Sequence, residues 1–369
     1  IRPDVYVKGS DYRDQDTDVT GKIGCEREAV ETYGGSLVFT DDLTFSSTEL
    51  LNRHFEVFDP QVRDFLSRMR SEGDLPSLLG LIEQAQSLKV LVVGDAIIDE
   101  YRYVTPMGKS PKENMIATRF EGVESFAGGA IATANHLAGL CGQVDLLTCF
   151  GENEADEELI SKGLNEKITL HQIKRRQVPT TRKVRFIDKD YFRKLFEVYH
   201  FDDTPMPKSM QENFDSKVRE FAGDYDMVIV NDFGHGLIAP STIELLCNHA
   251  KFLALNAQSN SANFGFNLVT RYPRADLVCI DRPEAQLAVG SKFMEPAEMV
   301  SRAIPSLINC DRVILTQGRG GCSTWSKDET VQTIPAFTKS VVDLVGAGDA
   351  FLAASAPIEK KGANFIINS

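Results

Sequence analysis

The chain has 369 residues, of which 42% are hydrophobic and 25% charged, and its formal net charge is −13. That apolar content supplies a sizeable buried core and excludes a disordered chain, while an acidic balance with no basic block excludes a nucleic-acid partner. No apolar run approaches the ~20 residues of a membrane helix and no basic-then-apolar leader opens the sequence, so a cytoplasmic protein without membrane contact is expected.

Residues 1–57 hold Val5-Tyr6-Val7-Lys8-Gly9, an acidic loop, Gly35-Ser36-Leu37-Val38-Phe39 and Thr44-Phe45-Ser46-Ser47-Thr48, a segment too short to bury its own core easily. Asp14, Asp16 and Asp18 have no fixed ligand spacing and read as a solvated loop. Across 58–88 a helical connector is expected, because Val62, Phe65, Leu66 and Met69 recur at i, i+3, i+4, i+7 and a second helical stretch runs from Pro76 to Leu88. Beyond it, apolar strands at Val90–Val93, Val144–Cys149, Met227–Val230, Phe252–Leu255, Leu277–Ile280 and Val313–Leu315 alternate with helical segments such as Met210–Phe221 and Ala297–Ile308. The alternation predicts an α/β fold, a mainly parallel sheet covered by helices on both faces, with ligands at the carboxyl ends of the strands. Asp99, Asp232, Glu284, Gly318 and Asp349 each follow such a strand and are expected on one rim. Residues 101–126 and 182–201 instead alternate polar and apolar side chains, which predicts a small β-lid over that rim. The seven cysteines are scattered without a Cys-x-x-Cys pair, and most read as small buried residues.

The most informative stretch is Val341–Phe351, a strand entering a turn at Gly346, Ala347 and Gly348 and then a helix with Asp349 in its first turn. Small residues let backbone N–H groups approach an anion, and the helix adds its positive end. A carboxylate beside that anion is a poor phosphate ligand but a good proton acceptor, so the pattern points to phosphoryl transfer to a hydroxyl. A dinucleotide turn fits less well, since Phe351 stands where a third glycine belongs. Nor does Gly108-Lys109-Ser110 complete a Walker A loop, with Tyr103 in the place of its first glycine.

From about Lys89 onward the chain resembles the carbohydrate kinases of the ribokinase, or PfkB, family, whose C-terminal signature is an Asp followed by Gly-Ala-Gly-Asp and whose first signature matches Gly128-Gly129-Ala130. Among these it is most similar to the heptose-phosphate kinases of ADP-heptose synthesis, through Pro179–Arg185 and Asn231–Gly236. The resemblance implies a ribokinase-like three-layer αβα sandwich over 89–369. It also implies ATP and Mg2+ as cofactors, with a monovalent cation as a further expectation, and a sugar or sugar-phosphate substrate. A homodimer through the lid is implied as well.

Carried residue by residue, it makes Asp349 the catalytic base beside Gly346, Ala347 and Gly348, and gives Asp99, Gly128 and Gly129 to the sugar. Lys183 and Arg185, which share a strand face by their spacing, become candidates for the sugar's phosphate. Asp281, Glu284, Thr316, Gly318, Gly321 and Asp343 fall to the nucleotide, and Glu284 to the metal through water. Residues 1–57 are similar to part of the nucleotidyltransferase domain fused to such kinases in bifunctional enzymes.

Departures stand beside the matches. Ala132 replaces an expected Asn, Asp281 replaces the Asn of an Asn-x-x-Glu pair, and Asn256-Ala257-Gln258 replaces an Asp-Pro-Lys run, which removes a cation near the phosphates. A kinase for another polyol or nucleoside, or a non-catalytic sugar- or nucleotide-binding module, are the alternatives.

Overall fold

The computed structural model describes residues 2–9, 23–40, 58–72, 74–327, 329–338 and 345–362. Two compact units are present, Ile1–Pro60 and Gln61–Ser369. In the first, strands β1 (Val5–Lys8) and β2 (Ser36–Phe39) pair in parallel from Val5↔Ser36 to Lys8↔Phe39, and helix α1 (Ile23–Glu31) lies between them in sequence. Parallel strands need such a crossover, so this is one β-α-β step.

Helix α2 (Pro60–Glu72) starts at the last residue of the first unit, and the second unit goes on through α3 (Asp74–Ala85), β3 (Lys89–Gly94), β4 (Ala96–Lys109), β5 (Ile116–Gly129), β6 (Gln143–Gly151) and β7 (Ile168–Arg175). Further along come β8 (Thr181–Asp188), β9 (Arg193–His200), β10 (Met227–Asp232), β11 (Leu253–Ala257), the short β12 (Arg274–Ala275), β13 (Leu277–Asp281), the short β14 (Asn309–Cys310), β15 (Arg312–Thr316), β16 (Cys322–Ser326) and β17 (Gln332–Ile334). The main sheet has the order β17-β16-β15-β13-β11-β10-β3-β6-β7, parallel except for β16 and β17.

Strand period two assigns the two faces of this sheet. Val90 and Val92 pack into one cluster with Ile131, Leu137 and Leu352, while Leu91 and Val93 join Phe214, Val218 and Leu246 in the other. All four strand residues are fully buried, each worth roughly 1.5–3 kcal/mol in apolar area. The first cluster lies under α4 (Ala130–Ala138) and α9 (Ala347–Lys360), which pack together, and the second under α6 (Lys208–Phe221) and α7 (Pro240–His249). Helix α5 (Glu154–Gly163) starts on an Asn153 cap that accepts from the Ala155 and Asp156 amides, and α8 (Arg282–Val289) starts on a capping box between Asp281 and Glu284. The expected three-layer, mainly parallel architecture is the one observed. No helix among the described residues is long and apolar enough to cross a membrane.

A separate four-stranded sheet, in the order β5-β4-β8-β9, forms the lid. Its first strand starts at Ala96, earlier than the expected residue 101, with Asp95 alone separating it from β3. Ala96, Ile97 and Ile98 are buried on both sides, so the polar alternation that marks a lid strand is hidden there. Strands β7, β16 and β17 carry no continuous apolar run, because they lie at or beside the sheet's edges and mix polar with buried residues. The expected strand at Val341–Leu344 lies outside the described residues.

Candidate active site

The order of the sheet reverses beside β3. The chain goes outward through β6 and β7 on one side, then returns to β10 and proceeds through β11, β13 and β15 on the other. Such a switch point opens a crevice at the strands' carboxyl ends. A cleft of about 730 Å³ opens there, and it brings together Asp99, Gly129, Lys183, Arg185, Asp281, Glu284, Thr316, Gly318, Gly321 and the run Gly346–Asp349. Asp343 lies outside the described residues.

Gly346 begins α9 at φ 73°, a left-handed conformation suited to glycine, and no side chain caps the helix. The first-turn amides are therefore free to meet an anion. Asp349 is 6% exposed, and its Oδ1 accepts hydrogen bonds from Asn231 Nδ2 and Gln258 Nε2, each at 3.3 Å. Burial, with the Asp99 charge adding to it, pushes the Asp349 carboxyl up to about 7, against the pull of Lys183 and the Gln258 hydrogen bond. A carboxyl so placed takes or gives a proton near neutral pH.

Gly128 and Gly129 join the lid to the core. A Cβ on Gly128 would sit 2.1 Å from Asp99 Oδ2, and Gly129 holds φ 62° as it turns into α4. Gly128 thus makes room for the Asp99 carboxylate without itself lining the cleft.

Asp99 is ion-paired with Arg185, which also approaches Glu197 at 3.4 Å. The two side chains assigned from sequence to sugar hydroxyls and sugar phosphate pair with each other in the cleft. Lys183 lies 5.5 Å from the Tyr199 ring and 5.4 Å from the Phe233 ring. Burial lowers its pKa, while Asp99 opposes that effect. Both cations are buried and line the cleft, although a strand face carrying two cations is ordinarily a solvated one.

At the other end, Glu284 accepts the Asp281 amide at 2.9 Å and the Ser259 amide at 3.2 Å. Burial and the adjacent Asp281 push its carboxyl up to about 8, a range from which a bound cation would draw it back. Gly318 and Gly321 have φ 56° and 80°, and a Cβ on Gly321 would come within 1.9 Å of the Ile334 carbonyl. Glycine there lets the β15–β16 turn lie against Ile334, whose neighbours Pro335, Ala336 and Phe337 wall the cleft.

Asp232 departs from expectation. It ends β10 but turns away from the cleft, accepting from Tyr272 at 2.8 Å and pairing with Arg271 at 3.0 Å. Its role in this arrangement is to anchor the loop after β11. Asn231 and Phe233, by contrast, were named from sequence only within the Asn231–Gly236 run and given no role, although the first holds Asp349 and the second lines the cleft. The i, i+2 pair Asn256 and Gln258 at the end of an apolar run was the signal for polar groups on one cleft-facing side.

Comparison with known proteins agrees with this geometry. The bifunctional protein HldE of Citrifermentans bemidjiense is 24% identical over 275 residues, covering 72% of this chain and 54% of the relative. The chain spans little more than half the length of the curated relatives it matches. Phosphofructokinase-2 from Escherichia coli, solved with substrates and products, is similar in fold with a TM-score of 0.58 at 14% identity, covering 73% of this chain and 85% of that one. Ribokinase from Arabidopsis thaliana, solved with ribose and ATP, gives 0.52 at 18% identity, covering 75% and 87%. With the match to the family of pfkB carbohydrate kinases extending over residues 87–356, most of its length, the chain belongs to the pfkB family of ATP-dependent carbohydrate kinases.

Proposed function

We propose that this protein transfers the γ-phosphoryl group of ATP to a hydroxyl of a heptose-phosphate-like sugar phosphate, with Asp349 as general base. The observation that carries this reading is the buried Asp349 carboxyl in the first turn of an uncapped helix, in one cleft with Asp99, Lys183 and Arg185. Asp349 takes the proton of the attacking hydroxyl as its oxygen bonds to the γ-phosphorus and ADP leaves. The amides of Gly346, Ala347 and Gly348 meet the charge that spreads over the transferring oxygens. Asp99 orients the sugar, and Lys183 with Arg185 receives its phosphate.

Mg2+ supplies charge neutralisation on the nucleotide phosphates when bound. Glu284, oriented by two backbone amides beside Asp281, would hold it through water. Among the described residues no group of three His, Cys, Asp or Glu forms a protein cage, which suits a metal carried mainly by phosphates. Thr316, Gly318 and Gly321 would border the nucleotide, as would Asp343.

Two wider features belong to the same reading. The parallel β1-α1-β2 step supports residues 1–57 as part of a nucleotidyltransferase-like segment, with 58–88 a connector and 89–369 the kinase, in a bifunctional enzyme of nucleotide-sugar synthesis. Exposed Ile116, Phe120 and Val123 on β5 and Phe196 on β9 support a homodimer through the lid.

ADP release followed across heptose, hexose and pentose phosphates tests the central claim. Turnover above the water background with at least one sugar phosphate is expected. Tight ATP binding by calorimetry without ADP release from any acceptor would favour a binding module instead.

A further inference from the structure

We infer that Asn231 and Gln258 are positioning residues that hold Asp349 Oδ1 and so reserve Oδ2 for the proton of the acceptor hydroxyl, an inference that rests on the general-base reading above. Two carboxamides reach that one oxygen from different parts of the sheet, Asn231 within β10 and Gln258 just after β11, each at 3.3 Å. An ionised carboxylate only accepts, so the NH2 ends of both amides face it.

Core packing does not account for the asparagine. Asn231 is fully buried on a central strand among Ile229, Val230 and Asp232, and its own Oδ1 has no partner. An unpaired buried amide oxygen is a net cost that an aliphatic side chain would avoid. Gly94 is its register partner on β3, where a Cβ would lie 2.3 Å from the Asn231 carbonyl oxygen, so the two backbones run close together at this point whatever side chain stands at 231. Asn256, in register on the other side, is directed elsewhere, its Nδ2 donating to the Cys279 carbonyl at 2.7 Å.

The donors are also neutral. Charged or titratable groups face Asp349 from several elements: Asp99 on β4, Lys183 on β8, Cys279 on β13 and Glu284 on α8. A further cation at position 258 would make the carboxylate a much weaker base, whereas an amide fixes its direction and lowers its basicity less.

The test is the pH dependence of kcat/KM for the acceptor, with kcat and KM for ATP measured separately, in Gln258→Met, Gln258→Lys, Asn231→Ser and Asp349→Asn. Removing a donor in Gln258→Met is expected to lower kcat roughly tenfold with KM for ATP little changed. It should also move the acid limb of the profile upward, while Gln258→Lys moves it downward by roughly one pH unit. Opposite displacements are not produced by structural damage alone. Asn231→Ser reads the same limb through the other amide, so a poorly folded Gln258 variant still leaves a decisive measurement. Limbs unmoved in both single-donor variants, with Asp349→Asn inactive, would overturn the positioning role alone. Turnover retained by Asp349→Asn would instead overturn the general-base reading beneath it.

Discussion

Replacing Asp349 by asparagine separates what this carboxyl gives to chemistry from what it costs the fold. Its pKa rises from 3.8 to about 7 on folding. Between those values the folded chain holds a proton that the unfolded chain has released, so stability falls as pH rises through the window and the cost is complete above it. At pH 8 that cost is roughly 4 kcal/mol as an upper bound, and at pH 5 it is less than half as large. Asparagine never ionises, and its Oδ1 accepts from Asn231 and Gln258 as the carboxylate does. The Asp349→Asn chain should therefore be more stable than the parent at pH 8, by up to that amount, and by much less at pH 5. Urea unfolding of both chains at the two pH values measures the gap. The same substitution should lower kcat by about 10²-fold or more, since no general base remains. A stability gap that fails to widen between pH 5 and pH 8 would show that the carboxyl is not held in a desolvated site, and the reasoning behind its basicity would fail with it.

Gly348→Ala adds a methyl group where nothing lies within 4 Å, so the helix should gain roughly 0.5–1 kcal/mol while the anion loses its close approach. Thermal melts and steady-state rates should show a more stable, slower enzyme; undiminished turnover would remove the turn from the anion site. Ile116→Glu places a charge on the exposed apolar part of the lid, and sedimentation should show a dimer weakened toward monomer with little change in melting temperature. A parent chain that sediments as a monomer at all concentrations would remove the lid interface.

The sheet was legible because its strands are buried on both faces and therefore read as short apolar runs, as at Val90–Val93 and Met227–Val230. The edge strand Gln332–Ile334 was not, since its partly exposed positions accept glutamine and threonine and leave no period to follow, nor was its neighbour Cys322–Ser326, whose serines and threonine are themselves buried. Within the site, Asp349, Gly346 and Gly348 could be read because a turn and a helix start impose residue types locally. Asn231 and Gln258 could not, because their meaning depends on which strands become neighbours. Asp232 misled for the same reason: a position at a strand's end says which rim a residue reaches, but not which way its side chain turns once Arg271 and Tyr272 compete for it.

Helix α9 carries Asp349 at one end and Leu352, Ala353 and Ala356 along the stripe that seals the first hydrophobic cluster. During synthesis the ribosome delivers this helix after every strand of the main sheet, so Val90, Val92 and their neighbours lack that cover until it emerges. Nascent chains are accordingly most exposed to aggregation and to chaperone capture in this interval. The same docking event that ends that exposure installs the proton acceptor, so a molecule competent for turnover is also one whose apolar interior has been closed.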